Sequence, residues 1–383
     1  MSTKSLIFGD KVLLVIILLL SLFSFFPVFS SSSYLSYVVD GSSPIYYLVK
    51  HLIVLLFGII LMLSVKLVPF KLFKGMSIIL LPIGLALLAY TLSQGTMIGG
   101  SAASRWIDIP LIGIGFQTSS FAAIIIITYT ARYLSKVKLS ETKFSQTLLP
   151  LWLPIFAYIF LILPANFSSA FLIFSALFVV LIISGFPLRH LFKMFLILTF
   201  LLIIFFLTAK AFPEKLPNRI DTWISRVENF GSNKNSDASY QIERAKIAIN
   251  NGGLIGIGAG KSIMKNHLPQ SNSDFIFAII VEEYGIIGGS LIIVLYILMF
   301  FRILVITHRT DDRFGKILVS GLGIFIIMQA FTNISVATQI IPVTGQNLPL
   351  ISSGGSSAWM TCISLGMILS VSSSIKNMNS EKE

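Results

Sequence analysis

Long apolar runs alternate with short polar segments along almost the whole chain. A membrane-spanning helix requires roughly 20 mainly apolar residues, and runs of about that length recur about ten times. We therefore predict an all-α polytopic membrane protein with about ten transmembrane helices. The predicted helices cover residues 12–30, 46–65, 76–94, 117–134, 148–164, 167–185, 192–212, 275–301, 315–336 and 356–374.

The composition agrees with this pattern. The 383 residues are 55% hydrophobic and only 11% charged, whereas a soluble domain carries about 25% charged residues. We expect one membrane-embedded domain over residues 1–383. The single cysteine, Cys362, lies in an apolar run, so the sequence offers neither an intramolecular disulfide nor a cysteine zinc site.

Membrane topology explains most of the basic residues behind the net charge of +12. Lysine and arginine accumulate in the termini and in every second connection, which the positive-inside rule assigns to the cytoplasm. Both termini are therefore predicted to be cytoplasmic, and the charge gives no reason to expect a nucleic-acid partner. The cytoplasmic set is Lys4, Lys11, Lys66, Lys71, Lys74, Arg132, Lys136, Lys138, Lys143, Arg189, Lys193, Arg302, Arg309, Arg313, Lys316, Lys376 and Lys382.

One connection is far longer than two neighbouring helices require. It covers residues 213–274, between the seventh and eighth predicted helices, and topology places it on the extracytoplasmic side. Trp223, Tyr240 and the apolar spacing of residues 242–249 predict that this loop folds against the membrane surface. Loops of this length are usually functional or disordered.

A glycine-rich stretch at residues 251–262 superficially resembles a phosphate-binding loop. That motif needs glycine five positions before Gly260, where this chain has Ile255, and no strand precedes it. Nucleotide binding is therefore not predicted. The glycines instead indicate close approach of one backbone segment to another, or to a ligand.

Asp274 opens a long apolar run and has two interpretations. With Ser271 it matches a capping box, in which it would only begin a helix. It would also be an ionised carboxylate at the membrane surface, near Lys261, Lys265 and His267 in sequence, where it could act as a general base.

Glu282 and Glu283 follow within the same run. Ionisable groups inside a membrane are costly and usually functional, although a buried polar pair that holds helices together also fits. Arg105, Arg219 and Arg226 are candidate phosphate ligands because the guanidinium group binds phosphate in two-point contacts. Contacts with lipid head groups or water explain these arginines equally well.

Residues 347–357 break the helical pattern at Pro349 and at the Gly354–Gly355 pair. Irregular backbone is tolerated at a membrane boundary only where it is buried or lines a cavity. Free N–H groups and serine hydroxyls there make a candidate anion site, formed by Ser352, Gly354, Gly355 and Ser356. A re-entrant turn without a ligand is the alternative.

Together these segments resemble the SEDS family (shape, elongation, division and sporulation proteins; FtsW/RodA/SpoVE), and its division branch more than its elongation branch. The resemblance covers most of the chain and departs from the family pattern at Ser120 and Gln270, where glutamate is usual. The matching pieces are Ser104–Ile107 with Gln117; Gln241, Ala248–Ile249 and the glycines at 252, 253, 256 and 258; Leu268–Pro269 and Asp274–Ala278; Glu282, Glu283 and Gly285; Gln329 and Asn333; and Leu348–Ser357.

The resemblance implies an inverting peptidoglycan glycosyltransferase that polymerises lipid II during septal wall synthesis in the bacterial cytoplasmic membrane. It implies that Asp274 is essential, that Gln241 contributes to substrate binding, and that a class B penicillin-binding protein and other divisome proteins are partners. A divalent cation, Mg²⁺ or Mn²⁺, is expected with Asp274 as a candidate ligand, and no organic cofactor is expected. A lipid II flippase, a non-catalytic division scaffold and another lipid-linked sugar ligase or polymerase remain alternatives.

Overall fold

The computed structural model describes residues 9–34, 43–94, 106–109, 114–138, 142–211, 237–268 and 270–380. Within these ranges the chain is built almost entirely from helices, as predicted. The elements are α1 (Lys11–Tyr34), α2 (Pro44–Leu67), α3 (Phe70–Gln94), β1 (Trp106–Ile109), β2 (Ile114–Gln117), α4 (Thr118–Lys136), α5 (Phe144–Thr147), α6 (Leu153–Ile162), α7 (Phe167–Ile183), α8 (Leu188–Ala211), α9 (Asp237–Gly252), α10 (Ile276–Arg309), α11 (Arg313–Ala337) and α12 (Gly355–Ser380).

The long helices confirm a polytopic membrane protein. Seven segments of the described residues are long and apolar enough to cross a bilayer, and α7 is a shorter apolar helix. Every predicted apolar run coincides with a helical stretch, but the count of about ten spans stays a prediction. The seven segments are Lys11–Ser32, Pro44–Leu67, Phe70–Ser93, Phe144–Ile162, Ile276–Arg309, Arg313–Ala337 and Gly355–Ile375.

Helices α11 and α12 form the centre of the bundle. In each, 78% of the membrane-spanning window is buried by neighbouring helices, against 44% or less in the other candidate spans. Helix α12 packs on α2, and α11 packs on α4, α7 and α10. The glycines and serines of α11 and α12 permit this close packing, because small side chains let helix backbones approach.

Two local features depart from the predicted pattern. Strands β1 and β2 form an antiparallel β-hairpin in which Trp106 pairs with Gln117, where no strand was predicted. Leu148–Trp152 forms a π-helical turn that joins α5 to α6. The turn contains Pro150, which lacks the N–H group that a regular helix needs at that position.

Asp10 joins the beginning of α1 to the distant end of α10. Its carboxylate accepts a hydrogen bond from Leu13 N at 3.0 Å, which caps α1, and another from Arg302 Nε at 2.7 Å. Burial raises the pKa of Asp10, but the Arg302 guanidinium and the backbone N–H groups of α1 outweigh it and lower the pKa below its usual value. This contact fixes two helices that are far apart in sequence.

Asp10→Asn is expected to lower the thermal unfolding midpoint of the detergent-solubilised protein at pH 7. Asparagine caps helices as well as aspartate does, so the variant removes only the ion pair, which is worth about 1 kcal/mol because it is partly exposed. The native pKa is lowered, so this stabilisation is complete above the unfolded pKa of about 4 and disappears as pH falls through the native pKa.

The difference in midpoint between Asp10→Asn and the native protein should therefore shrink as pH falls from 7 towards 3. Asp311→Asn, at an exposed aspartate, is the matched control and should match the native midpoint throughout. A difference of constant size across this pH range would contradict the ion-pair interpretation.

Candidate active site

Asp274 lies in a turn immediately before α10. It is partly exposed, whereas Ser271 and Phe275 on either side of it are buried. The predicted capping box is wrong. Helix α10 begins at Ile276 with Phe275 at the cap position, and no side chain caps it there. The Ser271 hydroxyl instead donates to Lys265 O at 3.4 Å. The turn is compact because Ser271 N, Ser273 N and Phe275 N all bond within residues 268–275.

Residues from the end of the chain hold this turn in place. Asn333 of α11 donates from Nδ2 to Asp274 O at 2.9 Å and to Gln346 O at 2.7 Å. Ser352 donates from its hydroxyl to Ser273 O at 2.6 Å, and Ser353 N donates to Asn272 O at 2.9 Å. The two irregular segments that the sequence singled out separately therefore form one rigid platform around Asp274.

The serines of the proposed anion site have structural partners. Ser352 accepts from Leu348 N at 2.7 Å while its own hydrogen goes to Ser273 O. Ser356 donates to Gly115 O and accepts from Gln117 N, both at 2.9 Å, which docks the β-hairpin on the start of α12. The hydroxyl hydrogens of Ser352 and Ser356 are therefore used in these bonds and are not available to an anion. The first N–H groups of α12, including those of Gly355 and Ser356, are the better candidate donors to an anion.

Glu282 is fully buried and organises the glycine-rich segment. Its carboxylate accepts from the Ser262 hydroxyl, from Ile263 N at 3.3 Å, from Met264 N at 3.2 Å and from Asn251 Nδ2 at 3.3 Å. These bonds hold the start of the 3₁₀ turn Met264–Asn266. For Glu282 the structure therefore favours the role of a buried group that joins segments.

Glu283 is also buried and connects three segments. It accepts from the Ser30 hydroxyl of α1 and from Ser262 N at 3.3 Å. The Lys265 ammonium lies beside it, donating to Gly260 O at 2.8 Å and to Ser30 Oγ at 3.3 Å. Oε2 of Glu283 is buried without a hydrogen-bond partner, so this carboxylate retains an open accepting position next to an ammonium group.

The glycine-rich segment crosses α10 at a break in that helix. Gly285 has φ 68° and ψ −173°, a region that only glycine adopts readily. Ile257 N and Gly258 N donate to Glu282 O and Glu283 O, each at 3.0 Å, while Ile286 N and Ile287 N donate to Gly253 O and Leu254 O at 2.9 and 3.3 Å. The sequence-based interpretation that these glycines permit close backbone approach is thus supported.

The remaining candidate residues are distributed unevenly. Lys261 is exposed and its side chain lies over Gly258. Gln241 is partly buried on α9. Arg105, Arg219 and Arg226 lie outside the described residues, although Arg105 directly precedes the docked hairpin. Arg244 was not among the predicted site residues. Its guanidinium stacks 4.8 Å from the centre of the Tyr240 ring.

Asp274 is a candidate ligand for a divalent cation. Among the residues that the structure describes, no three His, Cys, Asp or Glu side chains lie together in a way that could hold a metal ion. Mg²⁺ is commonly held by one or two carboxylates together with phosphate oxygens of the substrate. A partly exposed single carboxylate at Asp274 therefore fits a cation shared with a diphosphate, but not an all-protein metal cage.

Asn333→Ala is expected to destabilise the platform. The change leaves the carbonyl groups of Asp274 and Gln346 without their buried donor, at a cost of about 1–3 kcal/mol. The thermal unfolding midpoint in detergent should fall accordingly. Asn266→Ala, at an exposed asparagine, is the control and should unfold like the native protein; equal midpoints for the two variants would contradict the structural role of Asn333.

Comparison with known proteins identifies relatives over nearly the whole chain. The profile of the cell cycle protein family FTSW_RODA_SPOVE matches residues 10–377. The chain is 31% identical over 332 residues to the probable peptidoglycan glycosyltransferase FtsW of Nitrosococcus halophilus, covering 86% of this chain and 83% of that protein. It is also 31% identical to the protein of the same name from Halomonas elongata, with coverages of 95% and 90%.

Solved structures share the fold. One comes from a study of how a peptidoglycan synthase complex coordinates polymerisation and crosslinking, with TM-score 0.74, 23% identity and coverages of 96% and 98%. The rod shape determining protein RodA of Thermus thermophilus gives TM-score 0.67 at 21% identity, with coverages of 95% and 96%. Profile, relatives and fold agree, and the chain belongs to the FtsW/RodA/SpoVE family of cell cycle proteins.

Proposed function

We propose that this protein is a peptidoglycan glycosyltransferase that polymerises lipid II into glycan strands. Relatives named probable peptidoglycan glycosyltransferase FtsW align with 86–95% of the chain at 31% identity. The observation that carries the proposal is the position of Asp274. It is a partly exposed carboxylate in a turn whose main-chain oxygens bind Asn333, Ser352 and Ser353, on the framework of that family.

Asp274 is the general base in this proposal. It accepts the proton of the acceptor sugar's 4-hydroxyl as that oxygen attacks the anomeric carbon of the donor. The new glycosidic bond forms as the bond from the anomeric carbon to the diphosphate oxygen breaks, and the anomeric configuration is inverted. Asn333 donates to the main-chain oxygen of Asp274 and so fixes the position of the residue without using its carboxylate. A general base must be held in position in this way.

The leaving group is undecaprenyl diphosphate, and stabilising its negative charge is a major catalytic requirement. Lys261 and Lys265 supply ammonium groups on the segment that Glu282 and Glu283 anchor. Arg105, Arg219 and Arg226 are further candidate ligands. A Mg²⁺ or Mn²⁺ ion held by Asp274 and the diphosphate would supply additional positive charge there.

The membrane orientation and partners extend the proposal. Both termini are cytoplasmic, in accordance with the distribution of lysine and arginine, so that α9 and Asp274 lie on the extracytoplasmic side. A class B penicillin-binding protein supplies the crosslinking reaction, and the pair works with other divisome proteins at the septum. A solved structure of the same fold comes from a synthase complex that polymerises and crosslinks.

A lipid II flippase is the second candidate. Buried Glu282 and Glu283, at a break in a membrane-spanning helix, are the kind of feature that transporters place at their binding sites. However, Glu282 and one carboxylate oxygen of Glu283 accept hydrogen bonds from residues 262–264 and hold that loop. This use of the acids favours surface chemistry over translocation.

The decisive experiment incubates the purified protein with lipid II in detergent, with and without a class B penicillin-binding protein, and resolves the products on a gel. Polymer formation supports the glycosyltransferase. Movement of lipid II across reconstituted vesicles without polymer would instead establish a flippase. Absence of both activities, with or without the partner, would leave the role of a division scaffold. Transfer to a different acceptor would indicate another sugar ligase or polymerase.

A further inference from the structure

Two polar contacts between α1 and α10 lie one bilayer core apart. At one end Asp10 binds Arg302, and at the other Ser30 binds Glu283. Ser30 is 20 residues from Asp10 (30 − 10) and Glu283 is 19 residues from Arg302 (302 − 283). At 1.5 Å per residue these separations are both about 30 Å, the thickness of the hydrocarbon core. Glu283 therefore marks the edge of the core on the α9 side.

The glycine-rich segment is attached at this edge. Ile286 N and Ile287 N donate to Gly253 O and Leu254 O. Ile286 lies 16 residues from Arg302 (302 − 286) on the unbroken part of α10. That is about 24 Å, so Ile286 lies about 6 Å inside the edge of a core about 30 Å thick. The segment of residues 253–258 therefore reaches the depth at which acyl chains begin.

The side chains at this depth are apolar and uncovered by protein. Ile255 is 80% exposed, Ile287 is 64% exposed, and Leu254 and Ile286 are also exposed. Ile286 and Ile287 begin the exposed apolar stripe of α10 that continues through Leu291, Val294, Leu298 and Phe301. Since a membrane-spanning helix carries that stripe into the bilayer, Leu254 and Ile255 extend a lipid-facing surface rather than a water-facing one.

We propose that residues 253–258 form an interfacial anchor that inserts Leu254 and Ile255 among the acyl chains of phospholipids in the leaflet on the α9 side. Lys261 provides the complementary polar contact. Its side chain is exposed and lies over Gly258, so its ammonium group is accessible to a phospholipid phosphate. Shallow insertion of apolar side chains below basic ones is how peripheral elements bind bilayers.

The contact between residues 253–258 and α10 also fixes how deep the anchor lies. The same four backbone hydrogen bonds that hold residues 253–258 to the helix break fix the depth of the segment relative to the bundle. Asp274 follows the segment in sequence and precedes the break. The bilayer surface is thereby set relative to Asp274, independently of whether the proposed reaction is correct.

Fluorescence quenching tests the depth directly. In a Cys362→Ala background, which removes the chain's only cysteine, a bimane label is attached to Ile255→Cys, and each preparation is reconstituted into phosphatidylcholine vesicles. Glu243→Cys, at an exposed polar position of α9, is the water-facing control, and Ile287→Cys is the lipid-facing control. Quenching by acyl-chain-brominated phosphatidylcholine is compared with quenching by aqueous iodide.

We expect brominated lipid to lower the fluorescence at Ile255→Cys about twofold, as at Ile287→Cys, and iodide to quench it far less than at Glu243→Cys. Ile255→Cys behaving like Glu243→Cys towards both quenchers would overturn the proposal. So would relief of the bromolipid quenching by added undecaprenyl diphosphate, because the surface would then be a site for that lipid rather than for bulk phospholipid. Ile255 is exposed, so its replacement leaves the packed interior intact.

Discussion

Replacing Asp274 with asparagine is expected to abolish polymer formation from lipid II while the protein remains folded. Asparagine keeps the shape of the side chain but cannot accept the proton of the attacking hydroxyl. Loss of a general base typically slows a reaction by about 10²–10⁴-fold. Folding should survive because asparagine has nearly the same size as aspartate, and the bond from Asn333 uses the main-chain oxygen, which the variant keeps. Gel analysis of the glycan products provides the measurement.

Asp311→Asn is a suitable control for this experiment, since Asp311 is an exposed aspartate in the connection between α10 and α11. This variant should polymerise lipid II at the native rate. The thermal unfolding midpoint of Asp274→Asn should also lie close to that of the native protein, which separates a chemical defect from misfolding. Full activity of Asp274→Asn would eliminate the proposed base.

Hydropathy was sufficient to predict the long apolar helices among the described residues. In a bilayer every backbone N–H and C=O group must be hydrogen-bonded within the protein. An apolar run long enough to span the bilayer therefore usually forms a helix. The run beginning at Phe275, for example, corresponds to α10, which begins at Ile276. The weaker apolar spacing of residues 242–249 also lies in a helix, α9. Ala245 and Ala248 are buried on one face of that helix, as the spacing indicates.

The site itself was only partly predictable, because its geometry depends on partners far away in sequence. The Ser271–Asp274 spacing predicted a cap that did not form, since the platform from residues 346–353 holds the turn instead. Ser352 and Ser356 suggested an anion site, whereas their hydrogens serve Ser273 and Gly115. Local sequence could identify which residues are unusual here, but not which backbone groups they bind.

The break in α10 was likewise hidden, because Gly285 occupies an apolar run that predicts a continuous helix. The break depends on the segment that crosses α10 there. Gly252 and Gly256 of that segment precede Gly285 by more than 25 residues (285 − 256 = 29). Each glycine faces backbone atoms of the other segment rather than side chains. Such a contact becomes visible only when both segments are placed together.

Gly285→Ala is expected to have the largest effect on stability of any single substitution proposed for this protein. A Cβ atom there would overlap the backbone carbonyl of Leu254, and alanine does not readily adopt the local φ and ψ. The backbone would have to move and lose the hydrogen bonds that join residues 253–258 to α10. We expect a loss of more than about 4 kcal/mol, the range reserved for severe core defects. The measurements are the yield of monodisperse protein and its thermal unfolding midpoint.

Gly260→Ala is the matched control, because Gly260 also has a positive φ of 75° but nothing lies within 4 Å of the added Cβ. Gly260→Ala should lower the free energy of unfolding by only about 1–2 kcal/mol, the cost of placing alanine in a left-handed backbone conformation. Gly256→Ala approaches the same crossing from the opposite side, where Cβ meets the backbone of Glu283, and should match Gly285→Ala. If Gly285→Ala were no more harmful than Gly260→Ala, the two segments could not be in direct backbone contact, and the rigid crossing that fixes Glu282 and Glu283 would be excluded.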